Sequence, residues 1–220
     1  MINGVIFDAD GTLLKSMEFW DSVVVNLLKS LGVTPDDNLT EILTPMSMLE
    51  GAEYIVREYG LTVSVDEIIK EENRIVEQFY FNSVQMKSGT KELLSVLKEK
   101  NIPMTVASAT DRYLIEGALK HLEIDGYFDA VISCSEVGEG KSSPRVYLRA
   151  CEVMGTSPNE TLVAEDSLSA LLTAKKAGFK TMAVFDATQK RNWRELKEHA
   201  DFFVKDDFSK IENCKRNTEN

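Results

Sequence analysis

A short apolar run of the kind buried in parallel sheets, Val5-Ile6-Phe7, closes on two carboxylates, Asp8 and Asp10, and then on Gly11 and Thr12. Residues i and i+2 at a strand end point to the same side. Asp8 and Asp10 can therefore face one small volume beyond the strand's carboxyl end. Two like charges that close repel, so one carboxyl must stay protonated or a cation must neutralise the pair. Asp and Gly are ordinary turn formers, but Asp-x-Asp-Gly-Thr straight after a first strand is more than a turn needs. A nucleophile, an acid/base and a metal site can all arise from these five residues.

The block after that strand is unusual in its order. Trp20, Val23, Val24, Leu27, Leu28 and Leu31 fall at helical steps and Gly32 closes the run. Two short helical patterns flank Pro45. A longer one runs from Asp66 to about Val84, with Ile68, Ile69, Ile75, Val76, Phe79 and Tyr80 on its apolar side. No strand pattern occurs between 16 and 86, so this block reads as an all-helical insertion. Beyond Gly89 the rhythm alternates. Strands are expected at Pro103–Ala107, Ala130–Ser133, Thr161–Ala164 and Lys180–Phe185, each preceded by a helical pattern, with a sixth near Phe202. Such alternation implies an α/β fold with a parallel sheet covered on both faces. The stretch from 210 to 220 is polar and reads as a frayed tail.

Open parallel sheets bind ligands beyond the carboxyl ends of their strands. Those ends carry Asp8 and Asp10; Ser108, Ala109 and Thr110; Ser133 through Lys141; and Glu165, Asp166 and Ser167. Brought together, they suit phosphoryl transfer. Asp8, Asp166 and the carbonyl of Asp10 are hard oxygen ligands of the type Mg2+ takes. Ser108 and the amide of Ala109 can hold phosphoryl oxygens, and Lys141 can offset the charge of phosphate and carboxylate together. His121 and His199 sit in helical patterns, which points away from histidine chemistry.

The formal net charge of −11 disfavours nucleic acid and anionic membranes as partners, so an anionic substrate must be attracted locally. Cys134, Cys151 and Cys214 lack the spacing of a disulfide framework or a thiolate metal site. With no signal-peptide pattern and no apolar run of spanning length, a cytoplasmic protein is expected. Oligomeric state is left open.

The four strand-end segments, in this order, resemble the haloacid dehalogenase superfamily, and within it the helical-cap phosphatases related to phosphoglycolate phosphatase and β-phosphoglucomutase. The likeness covers residues 4 to about 186. It implies a Rossmann-like core of residues 1–15 and 88–209, a helical cap of 16–87, and a Mg2+-dependent phosphatase acting on a small phosphorylated metabolite. It further implies that Asp8 is the nucleophile and becomes an aspartyl phosphate, and that Asp10 protonates the leaving group and then activates water. Ser108, Ala109 and Lys141 would bind the phosphoryl group. Asp8, Asp10 and Asp166 would hold the metal, with Glu165 either a direct ligand or behind the ligands.

The chain departs from that pattern at Lys15, where many relatives carry aspartate, and at Ser142-Ser143-Pro144-Arg145, where relatives continue Pro-x-Pro-Asp. The alternative reading is a sugar-phosphate mutase on the same core. Trp20 stands where those mutases carry a cap histidine, and Thr12 where they commonly carry valine, which favours hydrolysis. Asp10 speaks against carbon–halogen cleavage. A receiver-like phosphoacceptor would need no helical insertion. Pro45 through Glu50 falls where relatives place a substrate loop, and its apolar character suits a cap contact or helix packing equally.

Overall fold

In the computed structural model, which describes residues 1–43 and 45–214, the chain opens with β1 (Gly4–Phe7). Four helices come next: α1 (Met17–Ser30), α2 (Leu39–Leu43), α3 (Met48–Glu58) and α4 (Val65–Asn82). The alternating part comprises α5 (Thr90–Glu99), β2 (Met104–Ser108), α6 (Arg112–His121), β3 (Ala130–Ser133), α7 (Cys134–Val137), α8 (Arg145–Met154), β4 (Thr161–Glu165), α9 (Leu168–Lys176), β5 (Lys180–Val184), α10 (Trp193–His199), β6 (Phe202–Val204) and β7 (Glu212–Asn213). Helices α3 and α4 of the inserted block begin on clear signals. Ser47 and Ser64 each form a reciprocal capping box with the glutamate three residues on, Glu50 and Glu67.

The sheet is seven-stranded in the order β3-β2-β1-β4-β5-β6-β7, parallel except for β7. The expected α/β architecture is thus present. The tail differs from expectation: Phe208–Lys210 form a 3-10 turn and Glu212–Asn213 pair antiparallel with Phe202–Phe203. A two-residue strand at a sheet edge leaves no apolar periodicity to read. Residues 215–220 of the expected tail lie outside the described residues.

Side chains alternate across β1 as the pleat requires. Val5 and Phe7 enter one core with Leu94, Leu114 and Ile115, while Ile6 enters the other with Val146, Tyr147 and Ala150. Fully burying Phe7 and Ile6 stabilises the fold by about 1.5–3 kcal/mol each. More important for function is register. Phe7 pairs with Val106 of β2 on one side and Ala164 of β4 on the other. One step onward, Asp8 stands level with Glu165. The strand order reverses direction about β1, and a crevice opens there.

The two connections to the helical block run side by side. Leu14 bridges antiparallel to Met86, with Lys15 N–H donating to the Gln85 carbonyl (2.8 Å) and Lys87 N–H to that of Leu13 (2.9 Å). Among the described residues no helix is long and apolar enough to cross a membrane.

Candidate active site

Asp8, Glu165, Asp166 and Lys141 converge in the crevice, each buried. Lys141 Nζ donates to Asp8 Oδ1 and to Glu165 Oε1 (2.6 Å). Tyr147, on α8, donates its hydroxyl to the same Glu165 oxygen at 2.8 Å. Lys141 reaches this point because α7 ends at Gly138, whose φ of +75° turns the chain back over the strand ends. Lys141 thus reaches the crevice although the segment after it is atypical in sequence.

Charges here do not balance. Asp8, Glu165 and Asp166 offer ligand oxygens within 4.8 Å of one another; among the described residues Lys141 is the cation in direct contact with the cluster, and Lys87 acts on Asp166 from farther off. Burial pushes the Asp8 carboxyl up, against the pull of Lys141. Asp166 is driven well above the carboxylate range by burial and then by Asp8 and Glu165. Lys141 goes the other way: burial alone would lower it, but Asp8 and Glu165 outweigh that and raise it. Asp8 Oδ2 and Asp166 Oδ2 are buried with no hydrogen-bond donor among the described residues. Two orphaned carboxylate oxygens beside each other are what a hard divalent cation satisfies. The donor set therefore fits Mg2+. Gly11 belongs to the same construction: at φ +81° it has left-handed backbone, and a Cβ there would land on Asp166 Oδ2.

Asp10 is held by three donors. Ser16 Oγ (2.7 Å) and the Tyr80 hydroxyl donate to Oδ1, and Thr110 Oγ1 (2.9 Å) donates to Oδ2. Trp20 Nε1 in turn donates to the Tyr80 oxygen at 2.9 Å. The sequence pattern does not single out Ser16, Tyr80, Thr110 or Tyr147 for these tasks. Tyr80 and Tyr147 lie on apolar helix faces and read as core, yet each fully buried hydroxyl must find a partner.

Ser108 is placed differently from Ala109. Its buried Oγ accepts from Thr110 N–H (3.0 Å), while Ala109 and Thr110 line the chamber above the carboxylates. The Ser108 O–H hydrogen remains available to an acceptor. Lys15 is exposed and away from the chamber wall. Met46, Ser47 and Met48, within the Pro45–Glu50 segment, do line it. That segment also packs on the Lys141 loop, since a Cβ on Gly140 would meet the Pro45 carbonyl at 2.7 Å.

Helix α4 buries one residue that its apolar periodicity omits. Its buried residues are Ile68, Glu72, Val76 and Tyr80, spaced by four, whereas Ile69 and Phe79 are only partly buried. Charge alone would assign Glu72 to the outer face. It is 5% exposed and lines the same chamber as the carboxylates.

The profile of the haloacid dehalogenase-like hydrolases matches residues 5–184. A phosphorylated carbohydrates phosphatase of Thermotoga maritima is 25% identical, over 80% of this chain and 82% of that protein. A validoxylamine A 7'-phosphate phosphatase of Streptomyces hygroscopicus is 29% identical, over 81% and 83%. In fold, the β-phosphoglucomutase of Clostridium difficile superposes with a TM-score of 0.79 at 21% identity, covering 93% of this chain and 91% of that one. The chain belongs to the haloacid dehalogenase-like hydrolase family, as an enzyme of the phosphoric monoester hydrolase class.

Proposed function

We propose that the protein is a Mg2+-dependent phosphatase that hydrolyses a small phosphorylated metabolite through a phosphoryl group carried on Asp8. The observation that carries this reading is the pair of orphaned oxygens on Asp8 and Asp166, set beside a single buried lysine at the sheet's switch point. Asp8, Asp166 and the Asp10 carbonyl are the ligands we assign to the ion. Glu165, whose Oε1 is engaged by Lys141 and Tyr147, positions the lysine from behind. When bound, the ion supplies charge neutralisation for the phosphoryl oxygens and the carboxylates.

In the first half-reaction the Asp8 carboxylate attacks phosphorus and the bond to the leaving oxygen breaks. Asp10 gives that oxygen its proton. In the second, Asp10 takes a proton from water, which attacks phosphorus and frees Asp8. The Ala109 amide and the Ser108 hydroxyl hold the equatorial oxygens, and Lys141 offsets their charge. Three fixed donors hold Asp10 in one orientation for both proton transfers.

Helices α1 to α4, residues 16–87, act in this reading as a cap over the site. The paired connections at Leu13–Lys15 and Gln85–Lys87 are its hinge. Tyr80 joins cap to core by donating to Asp10, so closure and orientation of the acid/base are one event. Trp20 favours water as the final acceptor over a returning sugar. Its one N–H is committed to Tyr80, and an indole has no acceptor with which to take a proton. A phosphatase screen over a metabolite panel, run beside Asp8→Asn, tests the assignment. We expect Mg2+-dependent phosphate release that Asp8→Asn abolishes. Full turnover by that variant, or undiminished turnover in excess chelator, refutes it.

A further inference from the structure

The chamber is polar at its floor and apolar at its roof. Met17, Val24, Leu43, Met48, Ala52 and Ile55, all from the helical block, line the roof around one ionisable side chain, Glu72. Glu72 is buried and makes no hydrogen bond or ion pair among the described residues. Burial is the whole cause of its perturbation, with no charged neighbour contributing. A carboxylate in such a place destabilises the fold unless something neutralises it. The other polar groups of the roof are occupied: Ser47 Oγ accepts from Glu50 N–H, and Thr40 has a partner of its own.

We propose that Glu72 is a specificity-determining residue that receives an ammonium group on the leaving alcohol, so that the preferred substrates are phosphate monoesters of short amino alcohols. This rests on the phosphatase reading of the same chamber. Three features favour a cation over a polyol. Glu72 lacks a counter-charge and a substrate ammonium brings one, making a charge-assisted hydrogen bond in an apolar surround. Trp20 lines the same space, and an indole ring attracts a cation that reaches it. A polyol would instead bury several hydroxyls against methionine, leucine and isoleucine with one acceptor between them, and each unpaired hydroxyl is unfavourable. Size agrees, since the chamber measures about 140 Å3. That is close to the ~150 Å3 cavity that takes benzene.

The test compares isosteres that differ only in ammonium against methyl. Aminopropylphosphonate and butylphosphonate, which cannot be hydrolysed as esters, are titrated calorimetrically into the wild type, Glu72→Gln and Glu72→Leu with Mg2+ present. Aminopropyl phosphate and butyl phosphate are compared by kcat/KM in the same three proteins. We expect the wild type to prefer the amine by roughly tenfold or more in both readouts, as a charge-assisted hydrogen bond implies. Glu72→Gln should shrink the preference and Glu72→Leu should reverse it. Equal or weaker binding of the amine by the wild type, or a preference that survives Glu72→Leu, overturns the proposal. Hydrolysis of both esters without preference would sink this inference and leave the phosphatase reading intact. A preserved preference among phosphonates with no ester hydrolysed would do the reverse.

Discussion

Replacing Glu72 should change how the protein's stability depends on pH, and its burial sets the size of the change. The carboxyl is raised from 4.5 to about 7, with desolvation as its cause. A group whose folded pKa lies above its unfolded value contributes stability in full below the unfolded value, and that contribution is lost as pH rises through the folded one. The window is therefore about pH 4.5 to 7. Each tenfold change in the acid's dissociation constant is worth ~1.36 kcal/mol, so the loss across the window is about 3 kcal/mol. Glu72→Gln keeps the side chain's shape and removes the titration. The unfolding free energy of the variant minus that of the wild type should rise by about 3 kcal/mol from roughly pH 4.5 to pH 8. In a chain of this size that corresponds to roughly 6–12 °C in Tm. Urea unfolding across that range, without ligand, measures the difference. Because no charged neighbour perturbs Glu72, titrations of the Asp8 cluster are common to both proteins and cancel. A difference that stays flat across that range refutes the reasoning, since it would mean water in the chamber solvates the carboxylate.

The floor of the site yields further expectations. Asp166→Ala should raise the Mg2+ concentration needed for half-maximal activity, and an unchanged requirement removes Asp166 from the ligand set. Tyr80→Phe strips one donor from Asp10 and leaves the Trp20 N–H without its acceptor; urea unfolding should show a loss of about 1–3 kcal/mol. Gly140→Ala places a methyl group against the Pro45 carbonyl and should shift the segment over the chamber, raising KM more than it lowers kcat; unaltered kinetics would mean the segment yields freely. Phosphate release should match substrate loss one for one. Isomerisation of β-glucose 1-phosphate, primed with the bisphosphate, faster than any hydrolysis would instead establish a mutase.

The alternation of strand and helix after Gly89 is legible in the sequence because the central strands β2 and β4 are buried along their whole length and are mostly apolar, interrupted only by small or strand-end polar residues such as Thr105, Ser108 and Glu165. The floor of the site is legible for a related reason. Asp8, Glu165 and Asp166 sit directly at or after strand ends, where parallel register converts order in sequence into proximity in space, and Lys141 returns to them from β3 by way of α7 and the turn at Gly138. β7 is not legible, because two residues at an edge are held by β6 and not by their own pattern. The supporting hydroxyls of Tyr80 and Tyr147 escape notice because an aromatic ring at a core position reads as bulk.

Glu72 marks the limit of reading by periodicity. Apolar residues define a helix's inner face, and charged residues are then assigned outward. On α4 the residues spaced by four from Ile68 are Glu72, Val76 and Tyr80, so position 72 lies inside the stripe that the other three define. A glutamate at a core position conflicts with the local pattern, and such conflicts gather at sites where function outweighs stability. Tyr80, on the same stripe, orients Asp10 at the floor of the chamber, and Glu72 lines its roof. One face of one helix thus serves both ends of the site, and assigning that face to the hydrophobic core hides both tasks.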